Sequence, residues 1–444
     1  MPSLTKQEIL RIAAEEKVEL VRLQFTDILG TTKNITISVE QLSKALDNQI
    51  MFDGSSIQGF VRIQESDMYL WPDYDTFAIF PWDSNGRRIA RLICDVHLPD
   101  GSPFEGCPRY VLKRALRDAE QHGFTLFVGP EPEFFLFKIG QDGYPILETN
   151  DRGGYFDLSP LDKGENAREA IVFALQKMGF HVEASHHEVA QGQHEIDFKY
   201  DHALRTADNI LTFKYVTKMI AQQHGLHASF MPKPIFGAAG SGMHLHQSLH
   251  SGEKNLFYDP EDHLGLSKIA RYYVGGLLAH ARSFTAITNP IINSYKRLVP
   301  GYEAPMYVSW SSRNRSALIR IPASSQGGAA RIELRSPDPS ANPYLALAVI
   351  LRAGLDGVVR QLDPGPECFD NIYEMSDEER AARGIVNLPR SIVEAVELLG
   401  QDKVIRDALG EHVYSNFIRA KAIEWERYAM QVHQWELEEY LLHV

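Results

Sequence analysis

Two glutamates, Glu131 and Glu133, interrupt the run Phe127-Val128-Gly129-Pro130-Glu131-Pro132-Glu133-Phe134-Phe135-Leu136-Phe137, which otherwise reads as a buried strand. Alternate residues of a strand share a face, so both carboxylates point the same way. Like charges held close in an apolar setting repel, and desolvation penalises each of them. Either the acids mark a solvated strand end, or a cation neutralises both. Companion motifs elsewhere in the chain favour the cation.

The first companion is His186-His187-Glu188-Val189-Ala190-Gln191-Gly192-Gln193-His194-Glu195. Strand patterns near 181–188 and 194–200 flank a link short enough for a hairpin, which would set Glu188 and Glu195 on facing strands near one turn. Four carboxylates then become available to the same ion, and buried carboxylates need partners. The second is Gly240-Ser241-Gly242-Met243-His244-Leu245-His246, where His244 and His246 share a face opposite Met243 and Leu245. Such histidines are hydrogen-bonded core residues or ligands. The third is Arg331-Ile332-Glu333-Leu334-Arg335, with Arg331, Glu333 and Arg335 on one face. It reads either as a surface ion-pair strip or as a metal ligand between anion clamps.

Further arginines, Arg297, Arg315 and Arg320, are spaced through apolar and turn residues rather than blocked together, which points to an anion pocket. The loop Pro300-Gly301-Tyr302-Glu303-Ala304-Pro305 has the make-up of a lid whose Glu303 acts on closure. Oxygen ligands with one histidine suit Mg²⁺ or Mn²⁺ better than structural zinc. Acids and arginines together describe phosphoryl transfer. The chain has neither a G-x-x-x-x-G-K-[ST] loop nor a kinase motif set.

A formal net charge of −13 argues against a nucleic-acid footprint, which needs a basic face. The N-terminus shows no basic-then-apolar leader, and no apolar run approaches the roughly 18 residues of a membrane span. Three scattered cysteines, Cys94, Cys107 and Cys368, fit a reducing compartment and hence a cytoplasmic protein without a membrane contact. Strand patterns at 20–25, 35–39, 77–80 and 89–93, with a helix over 5–16, outline a small mixed domain that ends at the turn-rich segment 99–103. Beyond it, helical patterns at 109–121, 168–178, 206–224, 266–288 and 342–362 alternate with the motif-bearing strands. A long irregular stretch follows residue 288, and the tail from 385 is mostly helical.

Taken in order, FDGSS (52–56), GPEPEFFLF, HHEVAQGQHE, GSGMHLHQSL, NSYKRLVPGYEAP, NRSALIRIP and RIELRSPDPSANPYLA resemble bacterial type I glutamine synthetase almost end to end. The resemblance implies an α+β fold. A β-grasp-like domain would occupy residues 1–103. Residues 104–444 would form a catalytic domain with a curved antiparallel sheet and surrounding helices. It further implies a homododecamer of two stacked rings, with active sites between subunits. By the same likeness, Glu133, Glu188 and Glu195 match the ligands of one metal, and Glu131, His244 and Glu333 those of a second. Gly240, Arg297, Glu303, Arg315 and Arg335 match positions that hold glutamate or the phosphoryl group in transfer. Glu183, Phe198, Lys199, Tyr200, His246, Ser248 and Arg320, with Arg315, match the ATP pocket. Asp53 resembles the acid that a neighbouring subunit lends to the ammonium site.

The implied chemistry joins ammonium to glutamate through γ-glutamyl phosphate at the expense of ATP, with two or more Mg²⁺ or Mn²⁺ ions per site. Related readings are a ligase for another amine, or an inactive regulatory oligomer. Ala239 stands where the family commonly has Asn, and the loop 324–330 lacks the family's basic residue. Arg62 resembles the arginine of the α subgroup that takes part in feedback inhibition by glutamine. No adenylylation motif is recognisable around Tyr373, so feedback and nitrogen-regulatory proteins are the expected controls.

Overall fold

The computed structural model describes residues 3–57, 59, 67–82, 86–302, 304–314, 316–323 and 329–444. The expectations for Arg62, Glu303, Arg315 and most of the 324–330 loop lie outside the described residues.

Five strands, β1 (Val18–Thr26), β2 (Thr32–Ser38), β3 (Ile50–Asp53), β4 (Asp67–Ile79) and β5 (Arg88–His97), form one sheet in the order β2-β1-β5-β4-β3. The β1–β5 pair is parallel and the other pairs are antiparallel, a β-grasp-like arrangement. The helix Lys6–Glu15 opens with a capping box between Thr5 and Glu8. It buries Ile9 and Ala13 against Val21, Leu23, Leu70 and Leu92, a core separate from the main one.

The larger sheet comprises β6 (Thr125–Ile139), β7 (Pro145–Thr149), β8 (Val182–His187), β9 (Gln193–Phe198), β10 (Asp201–His202), β11 (Leu226–Ser229), β12 (Met243–Ser251), β13 (Lys254–Asn255), β14 (Tyr307–Ser311), β15 (Ala317–Arg320) and β16 (Ile332–Leu334). Its main path runs β14-β15-β16-β12-β6-β9-β8. The pairing is antiparallel apart from β14 with β15, so the sheet is mixed at that edge. The stretch read as irregular after residue 288 thus holds two short strands. Both are short and largely buried, and the second, Ala317-Leu318-Ile319-Arg320, lacks the polar alternation that would have marked it.

The central strand β6 changes partner along its length. It pairs with β12 from Thr125 to Pro132, then with β9 from Glu133 to Phe135. The two partners lie on opposite edges of β6, so the sheet forks at Pro132 and Glu133, where the β12 pairing ends on one edge and the β9 pairing begins on the other. The helices Ala203–Gln223, Lys268–Thr288 and Pro343–Arg360 lie among the main apolar core, which holds the fork rigid from behind.

Arg109, at the start of the helix Pro108–Gln121, ties the two parts together. Its guanidinium reaches Asp73 of β4 at 2.6 Å, Asp95 of β5 at 3.1 Å and Asp208 of the 203–223 helix at 2.9 Å. Arg109 and Asp208 are both buried. Removing the cation strands the acids, so Arg109→Met should lose about 3–5 kcal/mol of stability. A urea midpoint equal to that of the parent would contradict this.

Candidate active site

The fork assembles the acids that the sequence singles out. Register sets His244 opposite Glu131 on β12, and Glu195 opposite Glu133 on β9. The expected hairpin is present, with His186 facing Glu195 and His187 facing His194. Glu131, Glu133, Glu188, Glu195, His244 and Glu333 all line one cleft of about 1010 Å³.

The cleft has two chemically different halves. On one, Glu131 Oε1 lies 2.6 Å from His246 Nε2 and Oε2 lies 3.3 Å from His244 Nδ1. Glu333 accepts from Arg335 Nη1 at 2.5 Å and from Arg320 Nε. Burial alone would raise both acids. The imidazoles at Glu131, and His244 with Arg335 at Glu333, hold them below the usual carboxylate range instead. On the other half, His186 lies 3.5 Å from Glu188 and 3.3 Å from Glu195. Glu133 Oε2 accepts from Gln193 Nε2 at 2.7 Å and from the Gly242 amide at 3.1 Å.

Here the carboxylates crowd one another. Burial, with Glu195 and Glu188 nearby, pushes Glu133 well up. Burial and Asp197 push Glu195 up to about 10, and burial with Glu131 raises Asp197 to about 6. A cluster whose ionised form is penalised by its own members fits a hard divalent ion, and the donors are the oxygen and imidazole atoms such ions take. The ligand-capable atoms of His186, Glu188 and Glu195, and those of Glu131, His246 and Glu333, lie within 4.8 Å of one another.

Arg297 is buried and fixed by backbone, donating to Ser336 O at 2.7 Å and Arg335 O at 3.1 Å. With Arg335 it forms a cationic wall of the cleft. Gly240 approaches Pro232 so closely that a Cβ would stand 2.4 Å from the Pro232 carbonyl oxygen. Ala239 packs with Ile235 and Ala238 on Phe135 and Phe137, giving the cleft one apolar side. Gly301, Tyr302 and Ala304 of the 300–305 loop also border it.

A second cavity of about 590 Å³ lies beyond, bordered by Glu183, Phe198, Tyr200, His246 and Ser248. Among the described residues, Glu131 is the one that borders both cavities. Two residues of the implied ATP pocket fall elsewhere. The exposed Lys199 donates its amide to His181 O at 2.8 Å and is not in that lining, and Arg320 borders the larger cleft. Asp53 ends the edge strand β3 opposite Asp67, with the Ser55 amide 2.8 Å from its Oδ1. Hydrogen bonds from Ser55 hold its carboxyl below the usual range, and it borders neither cavity of its own chain.

Three participants escaped the sequence reading: His186 between the hairpin acids, Gln193 clamping Glu133, and Asp197 facing the second cavity. Asp197 had a usable signal, because Glu195-Ile196-Asp197 repeats the two-residue spacing of Glu131 and Glu133.

The family model described as "Glutamine synthetase, catalytic domain" matches residues 105–440, and "Glutamine synthetase, beta-Grasp domain" matches 17–99. The chain belongs to the glutamine synthetase family. It is 57% identical over 441 residues to a glutamine synthetase of Clostridium saccharobutylicum, covering 99% of each chain. It is 58% identical over 440 residues to one of Staphylococcus aureus, covering 99% of this chain and 98% of that one. Among solved structures, a GmaS/ADP complex superposes with a TM-score of 0.89 at 34% identity, covering 98% of this chain and 99% of the other. A cryoEM structure of Plasmodium falciparum glutamine synthetase gives 0.87 at 26%, covering 99% and 100%. Membership carries ATP-dependent glutamine formation, a glutamate–ammonia ligase activity that uses a divalent metal.

Proposed function

We propose that the larger cleft binds glutamate and the smaller cavity the nucleotide, with reaction at Glu131 between them. The observation that carries this reading is the meeting of two cavities at a fork lined by carboxylates. Arg297, Arg335 and the backbone at Gly240 hold glutamate with its γ-carboxylate toward Glu131. Glu183, Phe198, Tyr200, His246 and Ser248 hold ATP. A γ-carboxylate oxygen attacks the terminal phosphorus, giving γ-glutamyl phosphate and ADP. Arg320, Arg335 and Arg315 offset charge on the phosphoryl oxygens in flight. Mg²⁺ or Mn²⁺, held by Glu133, Glu188 and Glu195 on one side and Glu131, His244 and Glu333 on the other, supplies further charge neutralisation when bound.

Ammonium then loses a proton to Asp53 of a neighbouring subunit. Ammonia attacks the acyl carbon and phosphate leaves, while Glu303 shields the intermediate from water. A site that needs Asp53 from next door makes the working enzyme an oligomer, for which we take the dodecamer. The two-part chain divides at 99–103, and the enzyme works in the cytoplasm. Among the described residues no helix is long and apolar enough to cross a membrane. Control rests on feedback through Arg62 and on nitrogen-regulatory proteins. The Tyr373 hydroxyl is engaged with Ala304 O at 2.5 Å, which disfavours its modification.

Phosphate release with ATP, glutamate and Mg²⁺ should require ammonium and stop on chelation. Release with a larger amine and none with ammonium would replace this reading, and release with neither would end it.

A further inference from the structure

Behind the hairpin that carries Glu188 and Glu195 lies a buried polar group with no place in the chemistry above. Asp151, Asp162, Arg168, His187 and His194 are all buried. His187 and His194 immediately precede the two glutamates and face each other across the hairpin, with ring centroids 4.9 Å apart. Asp151 Oδ1 lies 3.0 Å from His187 Nε2 and accepts the Gly192 amide at 2.9 Å. His187 Nδ1 lies 2.7 Å from the Glu188 carbonyl oxygen. Both ring nitrogens therefore face acceptors. On the other strand Arg168 Nη1 donates to His194 Nδ1 at 3.0 Å and to Asp162 at 2.5 Å.

We infer that Asp151 and His187 are positioning residues that fix the 188–193 turn, so that Glu188 and Glu195 stay opposed for metal binding. This rests on the functional reading of the cleft. One carboxylate gathers the turn (through Gly192) and the strand end (through His187), while His187 fixes the carbonyl of Glu188 itself. Gly192 has little freedom to drift. Its φ is +65°, a Cβ there would stand 2.9 Å from Leu136 O, and its own carbonyl accepts the Leu136 amide at 2.8 Å. Ligand atoms of Asp151, Asp162, His187 and His194 also lie within 4.8 Å of one another, but the group is neutralised without an ion. Arg168 already supplies a cation to Asp162, and His194 Nε2 abuts Gly164, where an added Cβ would lie at 2.5 Å.

The test is Mn²⁺ titration of the assembled, substrate-free protein, read by the electron paramagnetic resonance of free Mn²⁺, for the parent, Asp151→Asn and His187→Gln. Both variants should bind as many ions at saturation as the parent, with apparent affinity weaker by about 10–100-fold at the affected site. In turnover the Mn²⁺ requirement should rise while kcat recovers at saturating Mn²⁺, a split that general unfolding does not produce. If Asp151→Asn fails to assemble, His187→Gln decides alone. Unchanged affinity in the variants overturns the inference and leaves the functional reading standing. Loss of one ion per chain at saturation also overturns it, since Asp151 would then be a ligand. A parent that binds no Mn²⁺ overturns both.

Discussion

Glu195→Gln is expected to cut glutamine formation by roughly 10³-fold, the worth of several kcal/mol of lost charge stabilisation, and yet to raise the melting temperature of the metal-free protein. The opposite signs come from one cause. Glu195 is buried beside Asp197, Glu131 and Glu188, which raises its carboxyl to about 10. Unfolding returns it to about 4.3. Between those values the folded state binds a proton that the unfolded state releases, so each rise in pH through this window costs the metal-free fold stability. An amide has no such slope. The advantage of the variant should therefore widen from about pH 5 to pH 9, and Mn²⁺ should reverse the order by stabilising the parent more. Calorimetry with chelator and with Mn²⁺ across that range decides it. A variant that melts below the parent without metal at every pH would mean the acids are not under strain.

The second large effect belongs to mixed assemblies. Chains carrying Asp53→Ala and chains carrying Glu195→Gln should each be nearly inactive in ammonium capture alone, yet recover about a quarter of parental activity when assembled one to one. The fraction follows from chance. A productive site needs intact Glu195 in one chain, half the time, and intact Asp53 in its neighbour, half again. The argument rests on where Asp53 sits: at the end of an edge strand of the small sheet, outside both cavities of its own chain. Asp53→Ala alone should spare phosphoryl transfer to glutamate more than it spares amide formation. Denaturing and co-refolding the two variants, then assaying glutamine, tests both points. No gain over the separate variants would place the ammonium base within a single chain.

The positions of the acids were legible because strand alternation is a rigid rule. Glu131 with Glu133, His244 with His246, and the hairpin bearing Glu188 and Glu195 all fall as that rule requires. The fork was not legible. Nothing in the sequence of β6 says that β12 stops at Pro132 on one edge while β9 starts at Glu133 on the other, because those limits are decided by what β9 and β12 bury, not by β6 alone. The division of labour within the cleft was also hidden. Glu131 and Glu333 look like Glu133 and Glu195 on the page, yet the first two are neutralised by imidazole and guanidinium and the latter two oppose their own kind. Lys199 lies between Phe198 and Tyr200, which border the second cavity, while Lys199 itself does not.

That Glu131 stands on the border of both chambers has a kinetic corollary. With two chambers meeting at one residue, spent nucleotide and finished amide need not occupy the same space. ADP can stay seated in its chamber while ammonia reaches the acyl phosphate in the other, so that the acyl phosphate is consumed before its parent nucleotide departs. Amide measured by rapid quench should then appear ahead of free ADP measured in solution by a stopped-flow coupled assay.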